Sequence, residues 1–384
     1  MKNKRGLSEV VTTLVLVLLV IVAIGVIWMI IANFIFSKGD EINLSSIEVK
    51  MSINSIKADP SNPNNVIIRI ERSMGGNIEG TNVILFNGVN SHTERIVSLN
   101  EGEEKDFSVS KGDLGIIKKV SVRPIFKLKS GKEKIGEVIA SRDLTLEQSI
   151  QSIGGLVSWY RFEDNAEDII GVNEGTCNAV TNTCPTYVDS GSNVRKKSAS
   201  FDGVNDYVQV ADSSSLDING EEITLEAWVK PGKQKTDSST AGGIILNKET
   251  SYEFAVRYDN SIQWALTGPT GKPLKENHAY TGTAWAWHIV NAKVNLNEWN
   301  HVVVTYKFPS AKTYLNSVLV EDFDVTPNSY SVSIIPSDYL LGIGARQHET
   351  SSWRSFFNGT IDEVMVFNRA LTPEEVKSVY EITK

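Results

Sequence analysis

Little in this sequence suits redox, zinc or nucleic-acid chemistry. Its 384 residues include two cysteines and five histidines, and 38 Lys and Arg face 46 Asp and Glu, for a net charge of −8. The first 36 residues hold Lys2, Lys4 and Arg5 against Glu9, so the rest of the chain is more acidic still. An acidic body repels phosphate backbones, and no basic stripe with interleaved aromatics interrupts it, which excludes a nucleic-acid partner. The histidines (His92, His278, His288, His301 and His348) are scattered, and no Ser-His-Asp arrangement is evident. His301 stands in a β-branched run and is expected to be packed. The 41% hydrophobic and 22% charged fractions are those of a folded protein. The length allows two or three domains.

The two cysteines, Cys177 and Cys184, bracket a polar, turn-like stretch, CNAVTNTC. In an exported segment such a pair reads as a small loop staple. The other reading is half of a metal site, but zinc takes about four ligands and no histidine pair lies nearby.

Charge is also missing from Val10 to Phe36, 27 residues of almost unbroken Val, Leu, Ile, Ala and aromatics. About 20 such residues cross a bilayer as a helix, and core helices of this length carry a polar stripe. The run is too long for a secretory h-region, and no small-residue cleavage site follows it. Basic residues precede it; after it come Lys38, Asp40 and Glu41. The positive-inside rule then gives a single-pass protein of the cell membrane, with a cytoplasmic N-terminus and an extracellular body.

The run KNKRGLSEVVTTLVLVLLVIVAIG resembles the N-terminus of archaeal type IV pilin-like and archaellin-like proteins. The resemblance implies a leader, residues 1–6, cut between Gly6 and Leu7, leaving Glu9 third in the mature chain and residues 7–36 as the transmembrane or pilin-like helix. In such filaments the helices bundle with those of other pilin-like subunits. A plain signal anchor shares the charge and the length but does not need Gly6 or Glu9.

From 37 to 145, short alternating runs such as Val66-Ile67-Ile68-Arg69-Ile70 and Asn82-Val83-Ile84-Leu85-Phe86 are separated by turn formers, Asp59-Pro60-Ser61-Asn62-Pro63 among them. This pattern predicts a small β-sandwich. Its order is loosely similar to a pilin-like head. Residues 146–155 break the strand pattern and end in Gly154-Gly155, which reads as a linker.

Residues 156–384 carry the blocks GLVSWYRFEDNAEDIIG, KSASFDGVNDYVQV, EITLEAWVKPG, NEWNHVVVTYK and FFNGTIDEVMVFNRALTPEEVKSVY, in that order. Together they resemble the laminin G-like, concanavalin A-like jelly-roll family. The residues carry the pattern themselves: Ile223, Leu225, Ala227 and Val229 share one face of a strand, and Thr224, Glu226 and Trp228 the other. Thr372-Pro373-Glu374-Glu375 is a capping box with proline at the first helical position, opening a short helix with an apolar face of Val376, Val379 and Tyr380. Asn316-Ser317 stands where the family commonly has Asn-Gly, so a different turn is expected there. The predicted fold class is mainly β: an N-terminal transmembrane helix, a small sandwich, then a jelly-roll sandwich with a short C-terminal helix.

Family members mostly bind glycans or protein surfaces, and many hold calcium, which takes six to eight oxygen ligands. The family's acidic positions match Asp164, Asp168, Asp202 and Asp362 here, which makes them the implied ligands of a structural Ca2+; instead, Asp202 could bond turn backbone, Asp362 could be a satisfied buried carboxylate, and Asp164 could belong to a solvated edge with Glu163 and Glu167. A glycan platform needs exposed aromatics, and Trp264, Trp285, Trp287 and Trp353 fall in loop or edge segments; the competing role is core packing. The fold also houses glycoside hydrolases, which need two carboxylates about 5 to 9 Å apart, supplied in its glucanases by an E-x-D-x-E strand. Glu221-Glu222-Ile223-Thr224-Leu225-Glu226 lacks the central acid, and Glu321-Asp322-Phe323-Asp324-Val325 lacks the third. The expectation is a non-enzymatic, membrane-anchored or pilus-associated surface protein that displays a binding module for glycans or surface proteins. The alternative is a structural filament subunit with the jelly roll as spacer.

Overall fold

The computed structural model describes residues 14, 15, 17, 19–29, 48–128, 130–235, 242–266, 287–324, 333–348 and 352–384. Gly6, Leu7, Glu9 and Trp285 lie outside them, as do the leader and most of the flanks of the predicted span. Residues 19–29 are helical with every side chain exposed. Among the described residues no helix is long and apolar enough to cross a membrane.

The first sandwich is built from β1 (Lys50–Ala58), β2 (Asn65–Met74), β3 (Gly80–Phe86), β4 (Ser91–Val97), β5 (Glu103–Ser110), β6 (Lys119–Lys127), β7 (Glu133–Ile135) and β8 (Ala140–Asp143). A three-stranded sheet, β1-β2-β5, faces a five-stranded one, β4-β3-β6-β7 with β8 also on β6. Alternation sends Val66, Ile68 and Ile70 of β2 and Val83 and Leu85 of β3 into one shared core.

The segment 146–155 is not extended chain. Helix α1 (Leu146–Gln151) opens with a capping box, Thr145 accepting from the Gln148 N–H while the Gln148 side chain accepts from Thr145 N–H. Ile150 and Ile153 are fully buried. Gly154 and Gly155 both sit at positive φ, and a Cβ on Gly155 would come within 2.9 Å of Arg369 and Asn368, so glycine is required.

The second sandwich begins with β9 (Leu156–Tyr160), β10 (Gly175–Thr176), β11 (Thr186–Asp189), β12 (Lys197–Asp202), β13 (Val208–Val210), β14 (Glu222–Pro231), β15 (Gly242–Lys248), β16 (Tyr252–Arg257) and β17 (Ser261–Leu266). It continues with β18 (His288–Lys293), β19 (Asn300–Lys307), β20 (Ser310–Leu315), β21 (Val318–Asp324), β22 (Leu341–Ile343), β23 (Arg346–His348), β24 (Ser352–Arg354) and β25 (Asn358–Phe367). One sheet runs β10-β13-β22-β15-β16-β17-β18; the other runs β11-β12-β25-β14-β19-β20-β21, with β9 also on β25. Ile223, Leu225, Ala227 and Val229 face the core between them, as the alternation predicts. Asn316 and Ser317 have φ of 52° and 66°. This corrects the expectation of a different turn: a two-residue hairpin with both central residues left-handed is the one that Asn-Gly forms, and Ser317 holds it without glycine.

Helix α2 (Pro373–Thr383) covers the outer face of the second sheet. Its capping box is formed, with Thr372 Oγ1 accepting from Glu375 N–H and Glu375 accepting from Thr372 N–H. Val376 and Val379 join Ile150, Ile153, Trp159 and Ile116 in one cluster, and Ile116 comes from the first sandwich. The two sandwiches are thus packed together through α1 and α2.

Candidate functional site

At one end of the seven-stranded sheet, β13 turns Val208 and Val210 inward and Gln209 outward, and Tyr207, just before it, continues the outward side. On the neighbouring β22, Leu341 and Ile343 enter the core, so Gly342 faces outward opposite Gln209 and Asn247. Trp353, on the β23–β24 hairpin, lies over Gly342: a Cβ there would fall 2.6 Å from its ring. Tyr207 stacks on Trp353 with centroids 4.1 Å apart and planes at 17°. Both rings are half-buried.

Below this pair the sheet is polar. Asn247 Nδ2 donates to Glu253 (2.8 Å) and Glu249 (3.2 Å), and its Oδ1 accepts from Gln347 N–H at 3.0 Å. Arg346 donates to both Glu249 oxygens, at 2.7 and 2.9 Å. These side chains are buried, and a charged bidentate pair of this kind holds the hairpin, and Trp353 with it, on the sheet.

The stapled loop borders the same edge. Cys177 and Cys184 form the expected disulfide. Between them Asn178 caps a 3-10 turn, Ala179–Thr181, and Asn182 is left-handed. Thr183 O accepts from Tyr207 N–H at 3.0 Å, and Asn182 O from Asn205 Nδ2 at 2.9 Å. Val180, at the tip, is 96% exposed.

The other tryptophans do not join this site. Trp264 is 2% exposed and packs in the core against His288 and Phe323, alternating inward with Ile262 and Leu266. This corrects its assignment to an exposed platform: the strand's period had already paired it with two core residues. Trp287 precedes β18, on the far side of the same sheet.

Each acidic residue proposed as a calcium ligand has its own protein donors. Asp164 pairs with Lys197 at 2.5 Å. Asp168 is buried and accepts from the N–H groups of Trp159, Ile170, Val172 and Asn173. Asp202 accepts from Val204, Asn205 and Asp206 N–H; burial raises its pKa, but these three donors outweigh it and the net shift is downward. Asp362 is fully buried, 3.8 Å from Arg195, and burial next to Glu363 drives its pKa well above the usual carboxylate range. Among the described residues no three His, Cys, Asp or Glu side chains are grouped to hold a metal ion.

A groove of about 510 Å³ lies elsewhere on the jelly roll, lined by Leu156, Val157, Ser214, Asp217, Ile218 and Asn368 among others, with no aromatic side chain.

Residues 202–377 match the family model of the concanavalin A-like lectin/glucanases superfamily. This part of the chain is a laminin G-like jelly-roll domain. Calsyntenin-3 of Danio rerio is 24% identical over 171 residues, 43% of this chain, and the chain spans 18% of that protein's length. The binding domain of Paraclostridial Mosquitocidal Protein 1 is similar at 14% identity, covering 62% of this chain and 52% of that one, with a TM-score of 0.44. Domain 4 of AbnA, a GH43 extracellular arabinanase from Geobacillus stearothermophilus in complex with arabinotriose, is similar at 18% identity, covering 60% and 98%, with a TM-score of 0.39. Tyr207, which the sequence reading missed, lies at the edge of the matched family blocks; its outward place in the alternation with Val208 and Val210 was the available signal.

Proposed function

We propose that this protein is a surface-displayed binding module whose ligand is a glycan, held on the Tyr207–Trp353 platform. The observation that carries the reading is the stacked, half-buried aromatic pair on a bare glycine, fixed from below by Arg346, Glu249 and Asn247. Aromatic faces take up the apolar face of a sugar ring, and nearby amides offer donors and acceptors for its hydroxyls. Binding rather than hydrolysis is favoured because Glu249, a carboxylate of the network that holds the hairpin, is engaged on both oxygens by Arg346.

In the same reading the uncharged run Val10–Phe36 tethers the module to a membrane or a pilin-like filament, with the body outside the cell. The exposure of every described side chain in 19–29 supports an apolar environment for that helix. A second reading, a filament spacer, is favoured by the docking of the first sandwich onto the jelly roll, which would hold the appendage at a fixed angle.

The test is a glycan array probed with full-length protein in detergent micelles. Trp353→Ala and Tyr207→Ala should abolish binding while the melting temperature holds. Silence from the well-folded wild type would sink the glycan reading and turn the search to protein ligands. If Gly6→Val leaves the protein's size and assembly unchanged, the prepilin-type leader is excluded.

A further inference from the structure

The disulfide does more than close a surface loop. Eight residues, Cys177 to Cys184, end beside the one strand that presents the platform tyrosine. Inside that ring the Asn178 side chain fixes Val180 and Thr181 N–H, and its carbonyl accepts from Thr183 N–H. The two carbonyls just before Cys184 then face outward from the ring. One takes the backbone N–H of Tyr207 and the other the side-chain amide of Asn205, two residues earlier. Strand β13 has only three residues, and β10, which pairs with it, only two. The ladder alone therefore gives Tyr207 little support, and its backbone is held from the stapled loop.

We infer that loop 177–184 is the positioning and selecting wall of the platform: the cystine fixes the carbonyls that hold Tyr207 against Trp353, and the tip presents Val180 to whatever sugar lies on the rings. The inference rests on the proposed platform, and its two parts separate. Asn182, Thr183 and the cystine are positioning residues. Val180 is the selecting one: the loop whose carbonyls hold Asn205 and Tyr207 carries this apolar side chain at its tip, 96% exposed. Closing so short a loop removes little entropy from the unfolded chain, so opening the ring should loosen these carbonyls locally at little cost to the distant core.

The experiment uses the full chain in detergent micelles, as wild type, as the double variant Cys177→Ser/Cys184→Ser, as Asn205→Ala and as Val180→Asp. Hydrogen exchange at the Tyr207 amide is read without any ligand. Affinity is read with a panel of arabinotriose, xylotriose, cellotriose and maltotriose. In the double variant, Tyr207 exchange is expected to accelerate at least tenfold, the near-UV signal of the stacked pair to weaken, and affinity to fall at least tenfold. Asn205→Ala keeps the cystine and should produce a smaller acceleration in the same direction; it serves as the test if the double variant does not fold. Val180→Asp should reorder preferences within the panel while Tyr207 exchange stays at the wild-type rate. Unchanged Tyr207 exchange in both the double variant and Asn205→Ala overturns the positioning role. Unchanged panel order in Val180→Asp overturns the selecting role. If wild type binds no member of the panel while exchange responds as expected, the positioning role stands and the glycan reading of the platform fails.

Discussion

Lys111 and Arg369, one from each sandwich, donate to the same oxygen: the carbonyl of Ile153 accepts from both, each at 2.9 Å. Lys111 also donates to Ser152 O at 3.0 Å, and Arg369 to Gly154 O at 3.0 Å. These are the carbonyls of the C-cap of α1 and the two residues after it, so the two cations tie down the exit from that helix. Glu375 holds Arg369 at 2.6 and 2.8 Å and lies 3.8 Å from Lys111, which offsets one of the two positive charges. Lys111→Ala removes the donor from the first sandwich and should cost about 2 kcal/mol. Calorimetry is expected to show one transition for the wild type and two for the variant. A single transition in both would mean that the apolar contacts around Ile116 suffice to couple the sandwiches.

Burial lowers the pKa of Lys111 from 10.5 to about 8, with Glu375 opposing the shift. The unfolded chain keeps this proton up to about pH 10.5, and the folded chain releases it above about 8. Between those values the unfolded state binds more protons, so stability from this group rises with pH. The amine can still donate once neutral, and the junction should tighten rather than loosen in mild alkali. Urea melts at pH 7.5 and 9.5 check this: the wild type should gain relative to Lys111→Met, by at most about 3 kcal/mol.

On the outer face of the eight-stranded sheet, Glu363 is 1% exposed and accepts from Trp159 Nε1 at 2.5 Å and Arg161 Nε at 3.3 Å. Burial still raises its carboxyl to about 7, and its neighbour Asp362 is raised as well. A raised carboxyl binds its proton in the folded state while the unfolded chain has lost it, so stability falls as pH climbs from about 4.5 to 7. Glu363→Gln should flatten that part of the stability curve. An unchanged slope would mean that Asp362 alone carries the titration.

The jelly roll's strands, the capping box at Thr372 and the loop staple were legible because each is a short-range pattern: alternation, a four-residue motif, two cysteines seven apart. Trp264 was legible too, since Ile262 and Leu266 flank it at the strand period, but its size invited a surface role. The platform was half legible. Trp353 stood out, whereas Tyr207 gains its meaning only when β22 brings a hairpin 146 positions away to lie over Gly342. The junction was not legible at all. Lys111 looks like any loop lysine until its 2% exposure and its carbonyl partners are known, and a segment ending in Gly-Gly suggests looseness where the structure has a capped helix anchored by buried Ile150.

Ser317 holds φ at 66°, a conformation that L side chains take at a cost of about 1 kcal/mol. Ser317→Gly should therefore raise the stability of the jelly roll by about 1 kcal/mol, less what the added freedom of glycine removes from the unfolded side. Chemical denaturation of the pair decides it. A loss of stability would show that the serine makes up the strain elsewhere.

Asp164 pairs with Lys197, Asp168 and Asp202 accept from backbone N–H groups, and Asp362 accepts from Glu363 N–H with its other oxygen 3.8 Å from Arg195, so each is already engaged by the chain. Chelation is therefore expected to leave the melting temperature of the full chain unchanged. A drop of several degrees in EGTA, restored by calcium, would show that oxygens from another part of the chain complete a site.

The jelly roll's first strand, β9, lies beside its last, β25, and α2 then packs against the segment through which the chain enters. That is where the first sandwich docks. In a tethered molecule a pull on the bound ligand would enter at the platform and leave the domain at its N-terminal entry, where it would load the shared carbonyl of Ile153. The junction would be the mechanical fuse: its two cations and the Ile116 cluster would give way while the platform and its ligand stayed intact, lengthening the tether instead of releasing the catch.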